Sequence, residues 1–213
     1  MKINKNKILN VDNKVEKINK SYLYNTFISE AGKDFVIDDA NKEIIYTLLL
    51  YFSGEKNFNK YNLILNKSDL SKGILLYGNC GVGKTMLFDI LKRVGLIIYK
   101  KRKIKKLLFS NISCGSFVNI FMMTTKQNAM SMNLENYFKG KLYIDDLGIE
   151  PLCFNNYELM EQILFERHRN NSLTFCTTNM TIEGIKHKYG FRVSDRLTEM
   201  FNIIEWKGNT RRV

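Results

Sequence analysis

Proline is nearly absent from this 213-residue sequence, Pro151 being the single example. With no Pro-rich or low-complexity stretch there is no obvious linker, so the length reads as one folded domain with a short N-terminal extension. Histidine is almost as scarce. His168 and His187 complete no zinc pattern, and Cys80, Cys114, Cys153 and Cys176 show no CxxC spacing. That argues against a metal finger or a disulfide framework and for a reduced, cytoplasmic setting. No apolar run approaches the length that spans a bilayer, and the opening MKINKNKILN lacks the apolar centre of a signal peptide, so we expect neither a secreted nor a membrane-spanning protein. Acidic residues are the last shortage: 21 Asp and Glu face 33 Lys and Arg, a formal net charge of +12. An excess of that size suits an anionic partner such as nucleic acid, although a lysine-rich surface that only confers solubility has the same composition.

What is present is ordinary core material, 45% hydrophobic residues. Residues 1–38 read as a basic arm, partly flexible, because within residues 1–20 Lys2, Lys5, Lys7, Lys14, Lys17 and Lys20 stand against only Asp12 and Glu16. From Asp39 onward, Ile44, Ile45, Leu48, Leu49 and Phe52 recur at helical spacing and predict an amphipathic helix ending near Gly54. Strand-like runs then alternate with helix-length gaps: GILLY at 73–77, LLFSNI at 107–112, KLYI at 141–144, LTFCTT at 173–178 and NIIEW at 202–206. Such alternation predicts a parallel sheet between two layers of helices, spread over a domain at 39–213. A helix from Tyr157 to about Arg169, capped by Asn155 with Glu158 three residues on, should bury Leu159, Met160, Ile163 and Leu164.

The stretch 78–86, GNCGVGKTM, follows the first strand and opens a helical pattern. Gly78, Gly83, Lys84 and Thr85 satisfy G-x-x-x-x-G-K-[ST]. Side chains would hold phosphate oxygens away from backbone N–H groups, so glycines line such a loop, and the following helix points its positive end at the anion. Gly78, Asn79, Cys80, Gly81, Val82, Gly83, Lys84, Thr85 and Met86 are therefore candidate nucleotide-binding residues. Lys84 would contact the β and γ phosphates, and the Thr85 hydroxyl would ligate Mg²⁺. In KLYIDDLG, Asp145 is the candidate for holding Mg²⁺ through water, and Asp146 for orienting or deprotonating an attacking water. An ordinary Asp-Asp turn is the plainer explanation of that pair. No NKxD-like segment stands out, so ATP is the expected nucleotide over GTP.

Taken together and in order, GNCGVGKT, LYIDDLG, FCTTNM, YGFRVSDRLTEM and WKGNTRR resemble the AAA+ ATPases of the DnaC-type helicase-loader family and their IstB-type transposition partners, over roughly residues 70–213. The resemblance implies an α/β fold, a three-layer parallel-sheet P-loop NTPase of the AAA+ type without a C-terminal helical lid domain. It also implies ATP and Mg²⁺ as cofactors and an ATP-gated homo-oligomer acting on DNA beside a replication or transposition protein. Asn179 resembles the sensor that positions water beside the γ-phosphate. Arg196 resembles an arginine finger that reaches a neighbouring subunit's nucleotide, with Arg192 as the next candidate, and Arg212, or Arg211, the arginine that contacts nucleotide within its own subunit. Each has a plainer reading: Asn179 a helix cap beside Thr181, Arg196 part of a surface ion-pair cluster with Asp195 and Arg192, Arg212 part of a frayed tail. Residues 1–69 carry no such resemblance, and the domain with which loaders grip a helicase is not recognisable there.

KKRKIKK at 100–106 places six positive charges in seven residues between the helix after the glycine loop and the second strand. Lys100, Lys101, Arg102, Lys103, Lys105 and Lys106 would suit nucleic-acid phosphates, DNA and single-stranded DNA first, with Tyr99 and Phe109 available to stack on bases; a solvated loop is the alternative. The leading functional reading is thus an ATP-hydrolysing, DNA-associated oligomer. A small P-loop kinase and a nucleotide-gated binding module with little hydrolysis are the competing ones.

Overall fold

The computed structural model describes residues 17–126 and 132–212. The lysines of the expected arm that precede residue 17 lie outside them. Five parallel strands, β1 (Gly73–Gly78), β2 (Ser110–Ser113), β3 (Leu142–Asp145), β4 (Thr174–Thr178) and β5 (Phe201–Trp206), form one sheet in the order β2-β3-β4-β1-β5. β1 and β4 are central and pair in register from Ile74 with Phe175 to Tyr77 with Thr178. Every residue of β4 is buried, which is why it reads as an unbroken run and not as an alternating one.

The two faces carry separate cores because successive side chains of a strand point to opposite sides. Ile74, Leu76 and Phe175 pack with helices α1 (Lys20–Ala31), α2 (Lys42–Ser53) and α3 (Lys84–Arg102). Leu75, Cys176 and Ile203 pack with α4 (Cys114–Lys126), α5 (Leu159–Arg169) and α6 (Ile182–Met200). The three layers and the parallel sheet agree with the sequence expectation. Among the described residues no helical domain follows β5; residues 207–212 instead turn back over the glycine loop, where the Arg211 N–H donates to Gly81 O at 2.9 Å.

Four local expectations need correction. The stretch 20–31, assigned to the arm, is helix α1, capped by the Asn19 side chain on the Tyr22 N–H, and it buries Leu23, Phe27 and Ala31 in the core it shares with α3. The packed unit therefore reaches back to Ile18, 2% exposed, and has no boundary at residue 38. Asn155 does not cap α5: it lies at φ 61°, inside a tight turn closed by the Cys153–Tyr157 bridge, and the helix begins at Leu159. The helix expected after Thr181 runs on to Met200 with a break at Gly190, φ 79° and ψ 175°. Finally, Lys100, Lys101 and Arg102 are not in a loop but in the last turn of α3, which Lys103 ends at φ 60°. Cations there complement the negative end of the helix.

Candidate functional site

The glycine loop joins β1 to α3. Gly81 and Gly83 sit at φ 81° and 109°, a region that side chains other than glycine rarely adopt. Gly78 has a different constraint: a Cβ there would collide with the Trp206 carbonyl of β5. The loop is shaped to bring backbone close to whatever it encloses.

Three strand ends converge on it. Lys84, 5% exposed, donates from Nζ to Gly78 O, Asn79 O and Asn179 Oδ1, each at 2.8 Å. Thr85 Oγ1 donates to Asp145 Oδ1 at 2.9 Å. The same Asp145 oxygen accepts from Thr177 Oγ1 at 2.6 Å and from the Tyr143 hydroxyl. Asp146, next along, adopts φ 52°, and its N–H donates to Thr177 Oγ1 at 3.2 Å. These residues come from β1, β3 and β4, whose carboxyl ends meet on one edge of the sheet, the place where open parallel sheets bind ligands.

The charges here perturb one another. Burial pushes the Lys84 ammonium below its usual range, against the opposing pull of Asp146 and Asp145. Burial, then the Asp145 charge, raises the Asp146 carboxyl, with Lys84 and Arg212 acting against them. Titratable groups displaced in this way by a shared cleft are a mark of functional sites.

A cavity of about 640 Å³ opens over the loop. Cys80, Gly81, Gly83, Lys84, Thr85, Met86, Asp146, Asn179 and Arg212 all line it, so most of the sequence candidates meet in one place. Asn179 is not the cap of α6; that is Thr181, whose hydroxyl accepts from the Gly184 N–H at 3.1 Å. Arg211 is held by Asp38 at 2.8 Å, which keeps the Asp38 carboxyl below its usual range. Arg196 is not at the cavity. It lies on α6 with its guanidinium 5.1 Å over the Phe165 ring, donates to Arg192 O at 2.5 Å, and among the described residues makes no ion pair with Asp195.

Sequence reasoning missed two parts of the site. Tyr143 and Thr177 orient Asp145, which follows only from the registry of β3 against β4. The other is the wall formed by Asp34, Phe35, Val36 and Asn41, which local patterning does not reveal because α1 and its following turn reach the cavity through tertiary packing. The stacking role given to Phe109 is also lost: it is 9% exposed, with its ring 6.1 Å from Tyr143 and 5.4 Å from Phe175.

Fold and loop together have the form of the P-loop domains of AAA+ proteins. Among these the fold is that of the DnaC type. The crystal structure of the DnaC helicase loader superposes with a TM-score of 0.56 at 20% identity, covering 80% of this chain and 92% of that one. DnaI gives a TM-score of 0.53 at 23% identity over 92% and 94% of the two chains. AMPPCP-bound DnaA from Aquifex aeolicus gives 0.52 at 15% identity, over 83% of this chain and 49% of that one. No protein-family model and no curated protein matches the sequence.

Proposed function

We propose that this chain binds and hydrolyses ATP with Mg²⁺ as a DNA-associated AAA+ protein of the helicase-loader or transposition-accessory kind, assembling into an ATP-gated oligomer. The observation that carries the reading is the meeting of Lys84, Thr85, Asp145 and Asn179 at hydrogen-bond distance beneath one open cavity. The cradle fits a triphosphate: glycine conformations at Gly81 and Gly83 leave backbone N–H groups free of shielding side chains, and α3 starts at Lys84. A divalent ion bound with the nucleotide would neutralise phosphate charge. Among the described residues no cluster of three metal-ligating side chains exists, which suits an ion held by Thr85, Asp145, water and the phosphates themselves.

The chain's own residues divide the remaining work. Lys84 has its donors committed to Gly78, Asn79 and Asn179, so contact with a phosphate exchanges at least one of those bonds and frees the Asn179 amide to orient water. Asp146, its carboxyl raised, is a better proton acceptor than an ordinary aspartate. Arg212 lines the cavity and can meet nucleotide in its own subunit, whereas Arg196, outside it, would act on a neighbour's. The basic turn of Lys100, Lys101, Arg102 and Lys103, with Lys105 and Lys106 beyond, closes the far end of a 19-residue helix, about 28 Å from the loop. It would receive DNA phosphates.

The test is ATP hydrolysis over a protein-concentration series, with and without single-stranded DNA, at low and high salt. Specific activity rising with concentration and stimulated by DNA in a salt-sensitive manner is expected. A flat, DNA-indifferent rate would overturn the reading in favour of a self-contained site.

A further inference from the structure

Three tyrosines stand in a row on the first two helices and the loop after them. Tyr24 of α1 lies 5.8 Å from Tyr46 of α2, and Tyr46 lies 6.4 Å from Tyr61, centroid to centroid, the latter rings within 27° of parallel. Each is half-buried, unlike the closed aromatic cluster of Tyr51, Phe52 and Phe58 beneath them. They line an open cleft of about 220 Å³ whose floor is Leu49 and Leu50 and whose rim is Lys20 and Lys60. Lys60 sits 4.7 Å over the Tyr61 ring, and Lys20 pairs with Glu55 at 3.5 Å.

The cleft adjoins the basic end of α3. Next to Glu55, Gly54 leaves room for the Lys106 ammonium, with which any side chain at that position would collide. Arg102 places its guanidinium 4.2 Å over the ring of Tyr22, also on α1. Cations of the basic segment therefore reach α1 and the end of α2, the two helices that carry Tyr24 and Tyr46.

We propose that this tyrosine cleft is a base-stacking site for single-stranded nucleic acid whose phosphates run onto the basic segment 100–106. The inference rests on the nucleic-acid reading of that segment and adds to it a site for the bases. Aromatic faces are useful only to unpaired bases, since a duplex covers the faces of its own; cations alone would serve duplex and single strand alike. Centroid spacings of 5.8 and 6.4 Å are under twice the rise of about 3.4 Å between stacked bases, so no base fits between neighbouring rings and bases would lie on the ring surface that faces the cleft. An acidic peptide would use Lys20 and Lys60 and leave the rings without a role.

The test is fluorescence anisotropy of a labelled oligothymidylate of about 20 nucleotides with the full chain, across a salt series. Tyr61→Leu keeps apolar bulk and removes the ring; Tyr24→Leu repeats this on a helix, with thermal unfolding as a check on folding. Each should weaken binding at least five-fold, the low end of about one base–aromatic stack, with the salt slope unchanged, while Tyr61→Phe binds as the parent does. Lys100→Glu with Lys101→Glu should weaken binding and flatten the slope. If the charge variant weakens binding and both ring variants do not, the cleft proposal fails and the electrostatic reading stands. An equal loss on blunt duplex, or full competition by polyglutamate, would also overturn it. No binding by the parent chain at low salt would sink both.

Discussion

Asp146 shows how a single side chain sets activity against stability. Its carboxyl is held above the usual range by burial and by Asp145, so the folded chain holds a proton there more readily than the unfolded chain does. Stability from a raised acid is full below the ordinary aspartate range and is lost as pH rises through the folded value. At pH 7 the charged form is therefore a cost, and Asp146→Asn, which also tolerates φ 52°, removes it. We expect this variant to melt higher at pH 7, with the gain vanishing in acid, while ATP turnover falls about 100-fold or more. Scanning calorimetry at two pH values and a phosphate-release assay read both effects. Lys84→Ala should act differently: a buried charge-assisted donor is lost, so nucleotide affinity drops more than about ten-fold, measurable by titration calorimetry. The glycine loop and Lys84 were legible in the sequence because their chemistry is local to eight residues. Asn179 came within reach only through resemblance, and Tyr143 and Thr177 not at all, since nothing in LYIDD or FCTTN says which hydroxyl will face which carboxylate.

At the scale of elements, Arg167 of α5 is the clearest case of one side chain joining several. Wholly buried and with no carboxylate partner among the described residues, it donates to Tyr137 O, Gly140 O, Leu173 O and Thr174 Oγ1. It thus ties the 3-10 turn at Leu134–Tyr137 and the entries to β3 and β4 onto one helix. Arg167→Met would fill much of the space and leave several carbonyls without a donor, so a loss of about 3 kcal/mol or more is expected in urea unfolding. Arg167→Lys, with one nitrogen in place of three, should recover only part of it. Four strands were legible because each carries a short apolar run between turns, whereas β2 is only SNIS and begins after the apolar part of LLFSNI. Helix α1 was not: its buried set, Leu23, Phe27 and Ala31, is thin against lysines and asparagines, and what makes it a helix of the core is α3 on its other side. In the sequence Arg167 is only one of three basic residues in the last turn of α5, because burial of a cation is a tertiary fact.

Over the whole molecule, the sites divide between the two ends of the sheet and its helices. Nucleotide residues gather where β1, β3 and β4 end, the basic segment lies at the far end of α3, and Arg196 sits on α6 away from the cavity. On the proposed reading an arginine so placed serves a neighbouring subunit's nucleotide and not its own, so its contribution would depend on a second copy joined head to tail. That gives a complementation test. Asp146→Asn chains retain Arg196 but lack the proton acceptor; Arg196→Ala chains retain the acceptor but lack the finger. Each alone should turn over ATP at least about 100-fold more slowly than the parent, since the losses expected for a general base and for an arginine finger reach that size. Mixed in equal amounts, roughly a quarter of head-to-tail interfaces would pair an intact acceptor with an intact finger, and turnover should rise toward that fraction of the parent rate. If Arg196 serves only its own chain, or none, the mixture will be no more active than the average of its parts.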